Sequence, residues 1–206
     1  MALRSVPDDM FSALRSLLAI LAAFALVGAS PAANTDGVRT FAVDNAQSDL
    51  SARVGFLGIG KRTAGFPQVS GTVRLDPAMP ETLDLDVQID ASKLTAPDSL
   101  TLSRLKGEKF FWIEKYPQVR FVGKEMALTS PTTGTVDGQL TARGITRPVT
   151  LEVSFDKAPA TLAPGEAITL SWTTRINRRD FGMKSYSVFV GKWVNIELRA
   201  RLVPQG

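Results

Sequence analysis

The side chains that carry out most protein chemistry are missing from this sequence, which has no histidine and no cysteine. That removes the commonest general base, the commonest zinc and copper ligands, thiol nucleophiles and disulfides. Acid–base work is left to carboxylates, lysines and two tyrosines, Tyr116 and Tyr186. The carboxylates that invite inspection are Glu108 and Glu114, and the trio Asp84, Asp86 and Asp90. The aspartates alternate with Leu83, Leu85, Val87 and Ile89, which puts them on the wet face of a strand as a solvated surface. Calcium would need a looped geometry that a strand lacks. Gly58-x-Gly60 has no helix after it, so it fails as a phosphate loop. No catalytic, metal or cofactor site follows from these residues.

The cations give one ambiguous constellation, Asn177-Arg178-Arg179-Asp180-Phe181-Gly182. In one reading Arg178 or Arg179 meets an anionic headgroup. In the other the segment is a turn: Asn177 and Asp180 bond the local backbone, Gly182 takes a positive φ, and Asp180 pairs with an arginine. Arg147-Pro148 reads as the start of a strand. The net charge is +4, with Arg39, Arg53, Arg62, Arg74 and Arg120 scattered rather than clustered. No basic run interleaves with aromatics, so nucleic acid is not an expected partner. The mild excess serves solubility and would help at an anionic membrane surface.

The elements that must position these residues are strands. Apolar residues recur at every second position in Val38–Val43, Leu50–Phe56, Val69–Leu75, Leu83–Ile89, Val119–Lys124, Val136–Ala142, Val149–Phe155, Ile168–Ile176 and Val194–Leu202. That makes about nine strands with short connections and turn residues such as Ser130-Pro131 and Pro164-Gly165, an antiparallel meander. Closure into a barrel is favoured over a sandwich because it abolishes sheet edges. Charge on the outer face excludes a membrane-spanning barrel, whose outside is apolar. The inward stripe is Ala52, Val54, Phe56, Val73, Leu85, Val87, Phe121, Leu140, Leu151, Val153, Leu170, Trp172, Ile196 and Leu198. Such a stripe fills a small barrel solidly or, at eight strands, leaves room for one ligand, and periodicity does not choose between them. Ser99–Tyr116 breaks the alternation and reads as one or two short helices ended by Pro117. In it, Phe110-Phe111-Trp112 would line or gate the barrel mouth, or plug it.

Residues 1–33 read as a signal peptide. Leu17–Val27 is an uncharged apolar run of eleven residues, too short to span a bilayer, preceded by Arg15 and followed by small residues around Ser30 and Ala32. Asp8 and Asp9 are out of place there, and a start at Met10 gives a cleaner signal. Export to the periplasm or beyond is expected, with residues 34–206 as one domain and no stable membrane insertion.

Four segments together resemble the YceI-like family of exported lipid-binding proteins. They are Phe110-Phe111-Trp112-Ile113-Glu114-Lys115-Tyr116-Pro117; Val136-x-Gly138-x-Leu140-Thr141-x-x-Gly144-Ile145-Thr146-Arg147-Pro148-Val149; Ile176-Asn177-Arg178-Arg179-Asp180-Phe181-Gly182-Met183; and Val190-Gly191 followed by Val194-x-Ile196. They run in the family's order, and the likeness covers roughly Phe41 to Leu202. It implies a lipocalin-like, eight-stranded antiparallel barrel with an apolar cavity for a polyisoprenoid or related amphiphile, with the helices at the mouth. The inward stripe, with Phe110 and Phe111, would then be ligand-binding, and Arg178 and Arg179 would serve a headgroup. The sequence departs from the family where histidines are common, at Gln47, Phe56 and Arg104, and where acids are common, at Trp112 and Lys192-Trp193. These exchanges make the mouth greasier. The expected function is a carrier of an isoprenoid, quinone or fatty-acyl amphiphile, with homodimerisation left open. A filled-core envelope interaction protein and a lipid hydrolase or isomerase on the same barrel are the alternatives.

Overall fold

The period-two alternation becomes nine antiparallel strands in the computed structural model, which describes residues 37–205. The expected signal segment lies outside the described residues. The strands are β1 (Arg39–Phe56), β2 (Gly60–Gly65), β3 (Val69–Asp76), β4 (Met79–Asp90), β5 (Gln118–Ser130), β6 (Thr133–Ala142), β7 (Ile145–Phe155), β8 (Ile168–Asn177) and β9 (Val190–Pro204). Among the described residues one α-helix, α1 (Ser99–Lys106), lies between β4 and β5.

The sheet closes on itself: β9 pairs with β8 on one side and with β1 on the other, from Phe41↔Pro204 to Phe56↔Val190. On its second edge β1 pairs with β3 through Arg39–Ala42 and with β2 through Ser51–Phe56. Thus β2 and β3 share one position in the wall, and the nine strands make an eight-stranded barrel. The break between them holds Phe66-Pro67-Gln68, and Pro67 has no N–H to give a ladder. Closure and core both lie within residues 37–205, so this part of the chain contains a complete barrel.

The strand count agrees with the alternation, but the assignment of two strands differs. Val38–Val43 and Leu50–Phe56 are the two halves of β1, and β2 escaped the pattern. Between the halves the register against β9 shifts from Asp44 to Asp49. Asp44 Oδ1 accepts from the Ala46 N–H at 3.1 Å, and the Ser48 hydroxyl donates to the Asp44 carbonyl at 2.6 Å. A polar bulge therefore sits inside a continuous strand and reads as a turn. β2 is short, bounded by glycines and carries Lys61 and Arg62, so it shows little alternation.

In Ser99–Tyr116 a single helix is followed by turns. Asp98 caps α1 by accepting from the Thr101 N–H at 2.7 Å. Gly107 then bonds back to the Ser103 and Arg104 carbonyls, and Phe111 N–H reaches Leu105 O at 2.9 Å. The next segment coils over the barrel end before Pro117 leads into β5.

Four connections gather at one end, here the upper: the β1–β2 turn, the α1 segment, the β6–β7 turn and the β8–β9 connection. Towards the other end the interior is solid, with Phe41, Leu75, Leu83, Leu85 and Leu202 fully buried. Higher up, Gly123 of β5 and Gly138 of β6 stand opposite one another under the Phe121 ring. A Cβ on Gly138 would overlap that ring and the Val122 carbonyl, and one on Gly123 would lie 2.7 Å from Val136 Cγ1. Gly138→Ala is therefore expected to destabilise the barrel by about 1–3 kcal/mol through overpacking. Urea unfolding should show a lower midpoint at unchanged slope; a midpoint equal to the parent's would contradict this account of the glycine pair.

Candidate functional site

Above the solid half, the inward side chains become smaller and stand apart. They leave a cavity of about 140 Å³ that opens at the upper end. Ala52, Val54, Val87, Phe110, Phe111, Phe121, Leu140, Leu151, Trp172 and Ile196 line it, all expected from the alternation and the family likeness. Val73, Leu85, Val153, Leu170 and Leu198 face inward but are buried in the packed floor and do not line it. Phe56 does not line it either: it sits on the last rung of β1 with the Arg62 guanidinium 4.7 Å from its ring centroid.

Several lining residues were absent from the expected stripe. Leu50, Ile89, Val119, Ala142, Ile176 and Val194 belong to the same alternating faces, and the pattern contained them. Arg62, Thr63 and Ala64 come from β2, and Thr101 and Leu105 from α1. Their own sequences carry no comparable signal.

The roof is aromatic. Phe110 is buried and stacks on Tyr186, with centroids 5.9 Å apart and planes 8° from parallel. Phe111 meets Phe66 edge to face at 5.6 Å. Both phenylalanines therefore line the cavity and pack as its cover. Trp112 does neither; it lies outside, edge-on to Tyr116 with Lys115 4.7 Å from its ring centroid.

Arg178 is 2 % exposed and lines the cavity. Its Nε donates to Gly191 O and its Nη2 to Val190 O, both at 2.9 Å, and Nη1 donates to Met183 O. The guanidinium ties the 3-10 turn Arg178–Phe181 to the start of β9, giving partners to three carbonyls at once. Burial pushes its pKa down and the neighbouring Arg179 acts in the same direction, yet an arginine remains charged. Arg179 is exposed. Asn177 accepts from the Arg179 N–H and donates to Asp180, and Gly182 has φ +77°. The segment is thus a turn, with one correction: Asp180 is hydrogen-bonded by Asn177, while the buried arginine is held by main chain. Arg143, which the sequence reading passed over, does similar work by donating to Gly182 O at 2.8 Å and to Glu108 O at 3.0 Å.

The carboxylates lie elsewhere. Glu108 and Glu114 are exposed, and Asp86 pairs with Arg120 across β4 and β5, which holds its carboxyl below the usual range. Asp90 caps the turn at Ala91–Lys93. The charged residues lining the cavity are Arg62 and Arg178. The site can therefore bury hydrocarbon and present cations at its upper end.

Arg178→Met would leave three carbonyls without their donor, at about 1–3 kcal/mol each where they stay dry. The expected result is faster amide hydrogen exchange across residues 183–191, with the lower barrel unchanged. Arg178→Lys should restore little, since one ammonium cannot reproduce the fork. Unaltered exchange in the methionine variant would count against this role.

The YceI-like domain matches residues 41–202. A UPF0312 protein of Pseudomonas savastanoi pv. phaseolicola is 26% identical over 170 residues, covering 82% of this chain and 88% of the relative. One from Pseudomonas putida strain GB-1 is 28% identical over 132 residues, covering 64% of this chain and 69% of the relative. Among solved structures, BcnA of Burkholderia cenocepacia superposes with a TM-score of 0.69 at 24% identity, over 77% of this chain and 98% of that one. A polyisoprenoid binding domain from Saccharophagus degradans superposes at 0.61 and 12% identity, over 80% and 98% respectively. At these identities the superpositions speak for the fold alone.

Proposed function

The chain belongs to the YceI-like domain family, and from that premise we propose that it is an exported, non-catalytic carrier that holds the hydrocarbon chain of an amphiphile in the upper barrel. The observation that carries the reading is the cavity's lining, which is carbon almost throughout apart from three threonines and two arginines near the mouth. Removing a methylene from water contributes roughly 0.8 kcal/mol, so a chain gains affinity with its length and needs few polar contacts. The polar end lies at the mouth beside Arg62 and Thr101. No carboxylate is among the lining residues, so the interior offers no obvious base, and this supports a binder over a hydrolase or isomerase. The cargo we propose is a polyisoprenoid, a quinone or a fatty-acyl amphiphile. The polyisoprenoid binding domain from Saccharophagus degradans, which has the same fold, lends support to the first of these. The apolar run Leu17–Val27 and the small residues after it support export to the periplasm or medium.

A void of 140 Å³ is close to the size that admits a single small ring. A long chain therefore needs the aromatic roof to part. The cavity is narrow enough to be blocked from within: Ala52→Trp places an indole where the chain would run. Native mass spectrometry of protein purified without detergent from its own compartment should show excess mass that extracts as one amphiphile class. The Ala52→Trp variant should lose most of it while keeping the parent's β-sheet circular dichroism. An apo parent that stays apo when offered isoprenoids, quinones and fatty-acyl amides would sink the carrier reading. A folded variant with undiminished cargo would move the ligand to another place.

A further inference from the structure

The rim of the cavity carries a feature that ligand burial does not use. The β1–β2 turn and the β8–β9 connection meet there, joined by the Leu57 N–H donating to Phe189 O at 2.8 Å. Together they expose Leu57 (52%), Ile59 (96%), Val188 (87%) and Phe189 (50%), with Trp193 (42%) on the adjoining rungs of β9. Leaving such side chains in water brings the fold nothing. Leu57 also has φ +55°, a left-handed conformation that costs a leucine free energy. Four of the seven large apolar side chains exposed among the described residues thus lie on these two joined segments, here called the tip, and Trp193 lies on the strand that follows.

The two segments that form the tip carry only basic charge, although the Asp98 carboxylate at the start of α1 lies near Arg62. No acidic residue occurs between Asp49 and Asp76 or between Asp180 and Glu197, whereas Lys61, Arg62, Lys184 and Lys192 fall within those stretches. Arg175 lies 4.8 Å from the Trp193 ring centroid and Lys192 5.4 Å from it. Exposed apolar side chains on segments that also carry Lys61, Lys184 and Lys192, with Trp193 between Arg175 and Lys192, match the layered chemistry of an anionic bilayer: phosphate outside, hydrocarbon beneath.

We propose that this tip docks reversibly on an anionic lipid surface. Docking sets the cavity mouth against the bilayer, since Arg62 and Val190 belong both to the rim and to the lining. An amphiphile can then pass between membrane and barrel without crossing water. The docking stands on the exposed tip itself; the transfer role rests on the carrier reading.

The test is flotation of residues 34–206 with vesicles of phosphatidylcholine alone or mixed with phosphatidylglycerol. The expected result is recovery with the anionic vesicles, weakened by salt and by omission of phosphatidylglycerol. Ile59→Asp combined with Val188→Asp should lower partitioning by about tenfold or more, and Lys61→Glu with Lys192→Glu should do so at low salt. These side chains are on the surface, so circular dichroism should match the parent's. Failure of the parent to float with anionic vesicles overturns the proposal and leaves the tip to a protein partner. Undiminished flotation of the folded Ile59→Asp/Val188→Asp variant overturns it as well. Fluorescent isoprenoid, quinone and fatty-acyl probes, titrated in vesicle-free solution, read the carrier function separately. Flotation without probe binding keeps the docking and sinks the carriage, and probe binding without flotation does the reverse.

Discussion

The ladder between β1 and β9 converts a meander into a tube, and the rest of the structure depends on that closure. A closed sheet has no edge to template aggregation, and its interior is a fixed space that only side chains can fill. Whether a given height is solid or hollow then depends on side-chain volume. At the lower end Phe41, Leu75, Leu83 and Leu202 fill the section completely. At the upper end Ala52, Val54, Ala64 and Ala142 do not, although Phe121 and Trp172 project among them. One tube thus combines a packed core with a cavity above it, and the packed floor keeps the wall rigid around the void.

The mouth is organised by arginines in an unusual way. Arg178 is buried without any ion pair among those of the described residues, and main-chain carbonyls supply its partners. Arg143 bonds to carbonyls of two other mouth segments. Such an arrangement stitches irregular loops whose own ladders have ended, which is where unpartnered carbonyls would otherwise collect. It also leaves positive charge at the top of an apolar cavity with no carboxylate lining it. A carboxylate or phosphate on a ligand would find the Arg62 and Arg178 guanidinium groups there, with Asp98 close behind Arg62.

Much of this was legible beforehand, and what was not has identifiable causes. Alternation reports which face a side chain occupies, but not its height along the barrel. That is why Val73, Leu85, Val153, Leu170 and Leu198 looked like cavity wall and are floor, while Ala142 and Val194 went unnoticed as wall. The split of β1 has a local cause, since the Asp44–Asp49 bulge borrows turn chemistry without turning the chain. Arg178 stood in a recognisable motif, yet its role depends on carbonyls 5 to 13 residues further on. No spacing rule links an arginine to main-chain groups of a connection that lacks regular structure. The segments that carry the family likeness run into or through the mouth, the part of the barrel where strands give way to loops and periodicity has nothing to report.

The size of the cavity constrains how any long cargo is held. A void of 140 Å³ cannot take a long hydrocarbon chain while Phe110 remains stacked on Tyr186 and Phe111 remains against Phe66. Those contacts are aromatic and close the mouth from above; the hydrogen bonds of Arg178 and Arg143 anchor the loops on which Tyr186 and Phe110 sit. Opening by rotation of the phenylalanines costs packing that the incoming chain replaces with its own. Opening by breaking the arginine ties costs hydrogen bonds that hydrocarbon cannot replace. The first route is therefore the cheaper, and it leaves the loops in place while the roof rearranges. On that argument a long chain would enter by displacing Phe110 and Phe111 from part of its path, and its affinity would depend on how much better it fills that space than they do.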